Sequence, residues 1–126
     1  MTTSLRSFNI ELYEEHLAEG SFLYVQHLAY MHDPELTWVD LDHWEQRFEA
    51  HIDALVVGGD LALEVCKQRC FAGDFGEMHA AVRVFCPQHR PDLAYAVLQH
   101  LDMGDEPKVQ AVIDALKAEC PSAWHD

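Results

Sequence analysis

The chain has 126 residues, of which 49% are apolar, and eight basic against twenty-two acidic residues give a formal net charge of −14. This length suits one domain that buries roughly two-thirds of its unfolded surface, so folding needs neither a metal nor a disulfide framework. The acidic balance argues against a nucleic-acid partner, because binding to the phosphate backbone depends on positive charge. No apolar run approaches the roughly 20 residues that span a bilayer, and no signal peptide is recognisable, so we expect a cytoplasmic protein away from the membrane.

The negative charge is concentrated in the first half of the chain. Residues 1–60 contain twelve acidic and two basic residues, a net charge of −10, whereas residues 61–126 contain ten and six, a net charge of −4. A surface of one sign attracts a partner of the opposite sign over a distance. An acidic surface is also typical of soluble helical proteins that use it for no recognition. If the surface does bind a protein, the sequence favours a basic partner.

The first predicted helix covers residues 10–31, with Asn9 as a suitable N-cap. Apolar and small residues recur along it at helical spacing and form one stripe: Tyr13, Leu17, Gly20, Tyr24, Leu28 and Met31. Gly20 costs about 1 kcal/mol of helix propensity against alanine. We therefore expect another helix to approach closely at this glycine.

The second predicted helix follows a short turn and begins after Thr37, whose hydroxyl can cap it. Gly58 and Gly59 supply a left-handed residue to end it. Its apolar stripe is aromatic and wide, and consists of Leu41, Trp44, Phe48, Ile52 and Leu55. We expect this helix to be the stability centre of a long antiparallel hairpin over residues 9–59.

Four shorter helices are predicted after the hairpin, over residues 61–72, 76–85, 91–101 and 106–119. Tight turns join them into two apparent pairs, 61–85 and 91–119. Stacked helix pairs of this length are typical of α-solenoids. The sequence thus predicts an all-α fold and a single helical domain over 1–126, with two HEAT-like helix pairs in residues 60–126, arranged as a solenoid or bundle.

The last predicted helix has an apolar face that consists of Val109, Ala111, Val112, Ile113, Ala115 and Leu116. In a stack of pairs, the next repeat covers such a face. After this helix the sequence has only a short segment around Trp124. We therefore expect part of the face to stay open and to support self-association through residues 91–126.

Residues 9–66 resemble the N-terminal region of a family of bacterial HEAT-repeat proteins, most of them longer. The match rests on Glu15-His16 with Phe22-Leu23 following, on Thr37, and on the run RFEAHIDAL at 47–55. The resemblance implies an all-α domain in which a long hairpin leads into HEAT-like pairs. This sequence is shorter than most of those proteins, as expected for either a fragment or a short form. The resemblance implies no established activity, and it suggests an accessory or adaptor role in contractile secretion systems of bacteria.

Cysteine and histidine spacing raises the possibility of a zinc site formed by Cys66, Cys70, Cys86 and His89. Cys66 and Cys70 lie one helical turn apart, which differs from the usual pair of ligands on a knuckle. Small cysteines on a helix face also fill cores, and redox pairing is a third possibility. We expect packing, with reduced thiols and no bound cofactor, and keep a zinc-binding helical protein as the alternative function.

A carboxylate–histidine cluster is a second candidate metal site. His16 and Glu19 lie three residues apart on the first long helix, as Asp40 and His43 do on the second. Helical bundles build di-metal sites from inward-facing Glu-x-x-His pairs, and that motif does not occur in this sequence. We expect Glu19, Asp40 and His43 mostly on outer faces, and His27 and His51 in the core or at its boundary with hydrogen-bond partners.

No hydrolase elbow, phosphate-binding loop or dinucleotide fingerprint occurs in the sequence. We therefore expect a non-enzymatic helical module for protein interaction or scaffolding. Exposed aromatic anchors near the hairpin turn and acidic side chains for a basic partner are the candidate binding residues: Tyr30, Trp38, Glu45, Glu49 and Asp53.

Overall fold

The computed structural model describes residues 2–31, 33, 35 and 37–119, apart from the side chains of residues 2–4 and 119. Within these residues it contains six helices and no strand: α1 (Thr2–Tyr30), α2 (Trp38–Val57), α3 (Gly59–Ala72), α4 (Phe75–Phe85), α5 (Pro91–His100) and α6 (Glu106–Glu119). The predicted all-α fold is confirmed. No helix in the described residues is long and apolar enough to cross a membrane.

Local sequence signals set the bounds of α2 as predicted. The Asp40 amide donates to Thr37 Oγ1 over 3.1 Å, and the Thr37 amide donates to the Asp40 carboxylate over 3.3 Å, which together form a capping box. At the other end, Gly59 has φ +68, a left-handed conformation that glycine adopts without steric cost. Only α1 departs clearly from expectation, since it begins at Thr2. No proline or glycine interrupts residues 2–9, so the helix continues through Asn9.

The short helix α4 lies at the centre of the fold, although the sequence indicated α2 for that place. All residues of α4 except Phe75 and Arg83 are buried. It packs most extensively against α1, α3 and α6, and it also contacts α2. A helix that is covered all round belongs to the interior. Because Glu77, His79 and Arg83 are polar, the sequence did not indicate that α4 is an interior helix.

Helix α1 approaches α4 closely at two small residues, as expected for Gly20. A methyl group at Gly20 would lie 3.4 Å from the Ala80 methyl group, and one at Gly76 would lie 2.2 Å from Ser21 Oγ. The helices can touch here because both backbones lack bulk on the contact side. Ser21 Oγ also donates to the Asp74 carboxylate over 3.1 Å, which ties α1 to the start of α4.

The packing of the last helices differs from the predicted pairs. Helices α3 and α4 do pack together, but α6 lies against α4, and α5 has only small contacts with α3 and α4. Any contact between α5 and α6 in the described residues is minor. Helix α6 packs this way because α4 has a further apolar face to cover, whereas α5 does not offer one of similar extent. A HEAT-like stack therefore stays a prediction.

The apolar stripe of α2 is buried as predicted: Trp44, Phe48, Ile52 and Leu55 all belong to the core, and the rings of Trp44 and Phe48 stack at 5.3 Å. Phe48→Ala should lower the free energy of unfolding by about 3–5 kcal/mol through lost transfer energy and a cavity. Urea denaturation measures this change. Phe22→Ala, at a ring that is 58% exposed, is the matched control and should have a small effect. Equal losses in the two variants would contradict the orientation of α2.

Candidate functional site

An open cleft of about 500 Å³ lies between α1, α2, α4 and α6. Its walls are Tyr24, His27, Trp44, His79, Arg83 and Asp114, with Met31, Glu45 and Lys117 at the rim. We call it the α1–α6 cleft. Its volume falls within the range of ligand pockets, and aromatic walls with a few convergent polar groups are typical of binding sites.

One wall of the cleft is formed by Tyr24, His79 and Asp114. The Tyr24 hydroxyl donates to Asp114 Oδ2 over 2.7 Å, and the Tyr24 ring stacks on His79 with centroids 3.7 Å apart. Burial raises the pKa of Tyr24, and the hydrogen bond and negative charge of Asp114 raise it further. Tyr24 is therefore a fixed donor that joins α1 to α6, and it is not activated as a base or nucleophile.

His79 is buried and neutral. Its Nδ1 lies 2.9 Å from the Ala111 carbonyl oxygen, so Nδ1 carries the proton and donates it, because a carbonyl oxygen can only accept. Burial lowers the pKa of His79 to about 4, even though the Ala111 carbonyl and Asp114 favour the charged form. His79 therefore joins α4 to α6 through this hydrogen bond.

His27 forms the opposite wall by stacking on Trp44, with ring centroids 4.3 Å apart. Trp44 is held in place because its Nε1 donates to the Leu23 carbonyl oxygen over 2.6 Å. In the part of the chain that the structure describes, His27 Nδ1 is the buried side-chain nitrogen without a hydrogen-bond partner. The predicted hydrogen bond is therefore missing at this atom, since the ring faces an aromatic surface. Burial lowers the pKa of His27, against the charges of Asp114 and Glu45.

Arg83 also lines the cleft, and its guanidinium contacts the carboxylate of Glu49. The two form an ion pair between α4 and α2, and the guanidinium also lies 4.9 Å from the centroid of the Phe48 ring. Glu49 was predicted to face a partner. Because this carboxylate is already engaged inside the chain, we do not include it in the candidate surface.

The other predicted partner-binding residues lie on α2 and at the end of α1. Trp38 is 86% exposed, Tyr30 is half-buried, and both Glu45 and Asp53 are exposed. Asp53 comes fifteen residues after Trp38, roughly 22 Å along the helix, so the two do not share one contact patch.

The apolar part of the candidate surface is larger than predicted, because Met31 and Val39 are also exposed. We define the hairpin-end surface as Met31, Trp38, Val39 and Glu45. Two of these residues, Met31 and Glu45, also line the α1–α6 cleft, so the surface and the cleft adjoin. Asp40 and the predicted anchor Tyr30 line a separate cavity together with Arg47.

The proposed zinc ligands are not brought together. Cys66 and Cys70 are core residues of α3, and burial raises the pKa of each thiol to about 12, which opposes the thiolate form that binds metal. Cys86 is buried at the end of α4, whereas His89 is exposed with φ 55. Across residues 2–31, 33, 35 and 37–119, no group of three or more His, Cys, Asp or Glu side chains could hold a metal ion.

Two histidines that the sequence did not connect meet across the hairpin. His16 Nδ1 on α1 lies 3.0 Å from His51 Nδ1 on α2. The cluster considered from the sequence combined His16 and Glu19 with Asp40 and His43 instead. His43 is exposed and two helical turns before His51, so it is not placed to reach His16. The available signal was that His16 and His51 flank the apolar stripes of facing helices.

The apolar face of α6 is mostly covered. Ala111, Val112 and Ala115 are buried, Val109 and Leu116 are half-buried, and Ile113 is 39% exposed. The expected open patch on this helix is therefore small, because α4 covers it. Trp124 lies outside the described residues. Self-association through residues 91–126 stays a prediction.

Comparisons with known proteins add no assignment, since neither a family model, a curated protein nor a solved structure matches this chain.

The Tyr24–Asp114 hydrogen bond should contribute to stability. Tyr24→Phe removes the donor and should lower the free energy of unfolding by roughly 1.5–3 kcal/mol, the range for hydrogen bonds to charged groups. Tyr95→Phe, at an exposed ring on α5, is the control and should have little effect. Thermal and urea denaturation measure both. If the two variants unfold alike, the hydrogen bond does not hold α1 to α6.

His79 should make the fold acid-sensitive. Its pKa is about 4 in the folded chain against an ordinary value of 6.5, so the unfolded chain takes up the proton first as the pH falls. Its contribution is complete above pH 6.5 and is lost as the pH falls towards 4, with about 2 kcal/mol lost between pH 7 and pH 5.

Urea denaturation at the two pH values tests this contribution. His79→Gln should reduce the pH-dependent loss by about that 2 kcal/mol, whereas His100→Gln, at an exposed site, should keep the wild-type pH dependence. An unchanged pH dependence in His79→Gln would show that His79 titrates normally.

Proposed function

We propose that this chain is a non-enzymatic interaction module of the bacterial cytoplasm that holds a basic protein partner at the hairpin-end surface. The observation that carries the proposal is Trp38, which is 86% exposed although tryptophan is a costly residue to leave in water. Tryptophan is also the residue type most enriched among side chains that dominate binding energy at interfaces.

The position of Trp38 supports a role as a rigid anchor. It is the first residue of α2 and lies within the capping box that Thr37 and Asp40 form. A backbone fixed in this way loses little conformational freedom when a partner binds. Val39 and Met31 extend the apolar area, and the adjoining α1–α6 cleft offers a concave place for a further side chain of the partner.

The charge around the anchor supports a basic partner. Asp33, Glu35 and Asp40 are exposed near the turn, and the exposed Glu45 belongs to both the hairpin-end surface and the cleft. Arg47 is the single basic residue in the sequence between Arg6 and Lys67. Opposite charges speed encounter and fix the orientation of docking, while the apolar anchor supplies affinity. The partner should therefore present an apolar side chain flanked by lysine or arginine.

The resemblance of residues 9–66 to bacterial HEAT-repeat proteins adds a context to this proposal. Solenoids of stacked helix pairs present extended surfaces formed by consecutive helices, and such a surface suits the holding of a protein partner. Within the proposal, the chain serves as an accessory or adaptor component of a contractile secretion system, and the hairpin is its partner-binding arm.

Site-specific crosslinking tests the surface. A photoreactive benzoylphenylalanine at position 38 should capture a defined partner in the cells from which the gene comes. The same group at position 57 is the control, because Val57 is also 86% exposed but lies at the other end of α2. Capture at 57 equal to that at 38, or no capture at 38, would refute the proposed surface.

The captured partner allows a quantitative test. Trp38→Ala should weaken its binding by about thirtyfold, as expected for a dominant interface residue, while Val57→Ala leaves binding unchanged. Glu45→Lys should slow association, and the wild-type rate should fall with added salt.

A further inference from the structure

His16 and His51 form a close pair at the seam between the two arms of the hairpin. Their Nδ1 atoms are 3.0 Å apart, and the ring centroids are separated by 5.2 Å with a tilt of 52°. Both side chains are half-buried, so the pair has one side in the protein and one side open to water. Nothing in the proposed partner-binding function uses this pair.

The short distance constrains the protons of the pair. An Nδ1–Nδ1 hydrogen bond needs one nitrogen with a proton and one with a free lone pair, so two charged imidazoles cannot make it. Burial lowers the pKa of His51, and the nearby His16 and Arg47 lower it further, while Glu19 opposes them. A neutral imidazole is the form of histidine that binds metal ions.

The distance between the two Nδ1 atoms also matches the distance between two adjacent nitrogen ligands of one metal ion. Two nitrogens bound at 2.0–2.1 Å lie about 2.9 Å apart when they subtend a right angle, and about 3.3 Å apart in a tetrahedral site. The observed 3.0 Å is close to the right-angled value, which square-planar and tetragonal ions prefer. Chelation thus requires the rings to reorient, with little separation of the helices.

We propose that His16 and His51 form a two-histidine chelate for a late first-row divalent metal ion, with Cu²⁺ bound more tightly than Ni²⁺ or Zn²⁺. The order follows from right-angled coordination and from the general rise in affinity towards copper. Water completes the coordination on the open side of the seam, so the site needs no third protein ligand.

Two charged side chains set the electrostatics of this site. Glu19 follows His16 by one helical turn and acts on His51, so its carboxylate favours a bound cation. Arg47 acts on His51 with the opposite sign. When the metal binds the neutral pair, the shared proton leaves Nδ1 and the donor imidazole carries its proton on Nε2. No net proton is then released, whereas at acidic pH protons compete with the metal.

Metal titration of the metal-depleted full chain tests the proposal. Calorimetry with Cu²⁺ and with Zn²⁺ should show one site per chain, and saturation should raise the melting temperature because the ion joins α1 to α2. His16→Ala and His51→Ala should each weaken binding at least about tenfold and abolish the thermal shift, since loss of a direct ligand costs no less than loss of an outer-shell partner. His43→Ala, at an exposed histidine on α2, should keep wild-type affinity.

Electron paramagnetic resonance of the Cu²⁺-loaded wild type provides a second measurement that does not depend on variants. Its spectrum should report two equatorial imidazole nitrogens, and Mg²⁺ should produce neither binding nor a thermal shift. A spectrum without two such nitrogens would overturn the proposal even if a variant fails to fold. Equal affinity in wild type, His16→Ala and His51→Ala would overturn it as well.

Discussion

The fold depends on the nearly complete burial of α4, because that helix buries the polar side chains of Glu77 and His79 and half-buries that of Arg83, and each requires a partner. Glu77 receives two hydrogen bonds from Arg69 of α3, at 2.6 and 2.9 Å, His79 donates to the Ala111 carbonyl oxygen of α6, and Arg83 pairs with Glu49 of α2. A buried charge without a partner would cost several kcal/mol. These contacts therefore fix where α2, α3 and α6 lie, in addition to the apolar surface they cover.

The candidate site follows from this arrangement. Because α6 packs on α4, its Asp114 comes within 2.7 Å of the Tyr24 hydroxyl, and a cleft remains between α6 and the hairpin. Burial lowers the pKa of both histidines in the cleft, His27 and His79. The cleft combines these rings with Tyr24 and Trp44 in its walls and with the carboxylates of Glu45 and Asp114. These properties suit recognition by shape and charge, and the adjoining exposed Trp38 provides the anchor.

The two proposals use different parts of the same hairpin. The hairpin-end surface lies near the turn, and the His16–His51 pair lies along the seam, where it joins the two arms. A metal ion at the pair would stiffen the support of the surface without contacting a partner. The acidic character of the hairpin favours both a cation at the seam and a basic partner at the turn.

The sequence by itself determined the number and order of the helices and most of their bounds, because the signals are local, although it placed the start of α1 eight residues too late. Apolar spacing identified the core face of α2, the Thr37–Asp40 box and Gly59 marked its ends, and the bounds of α6 were predicted without error. The sequence also identified Trp38 as exposed and Gly20 as a point of close approach. Only the tertiary structure decided which faces meet. An amphipathic helix can pack against any apolar surface of suitable width, so the central place of α4, the engagement of Glu49 by Arg83 and the meeting of His16 with His51 depend on helix crossings between distant residues, which no local pattern encodes.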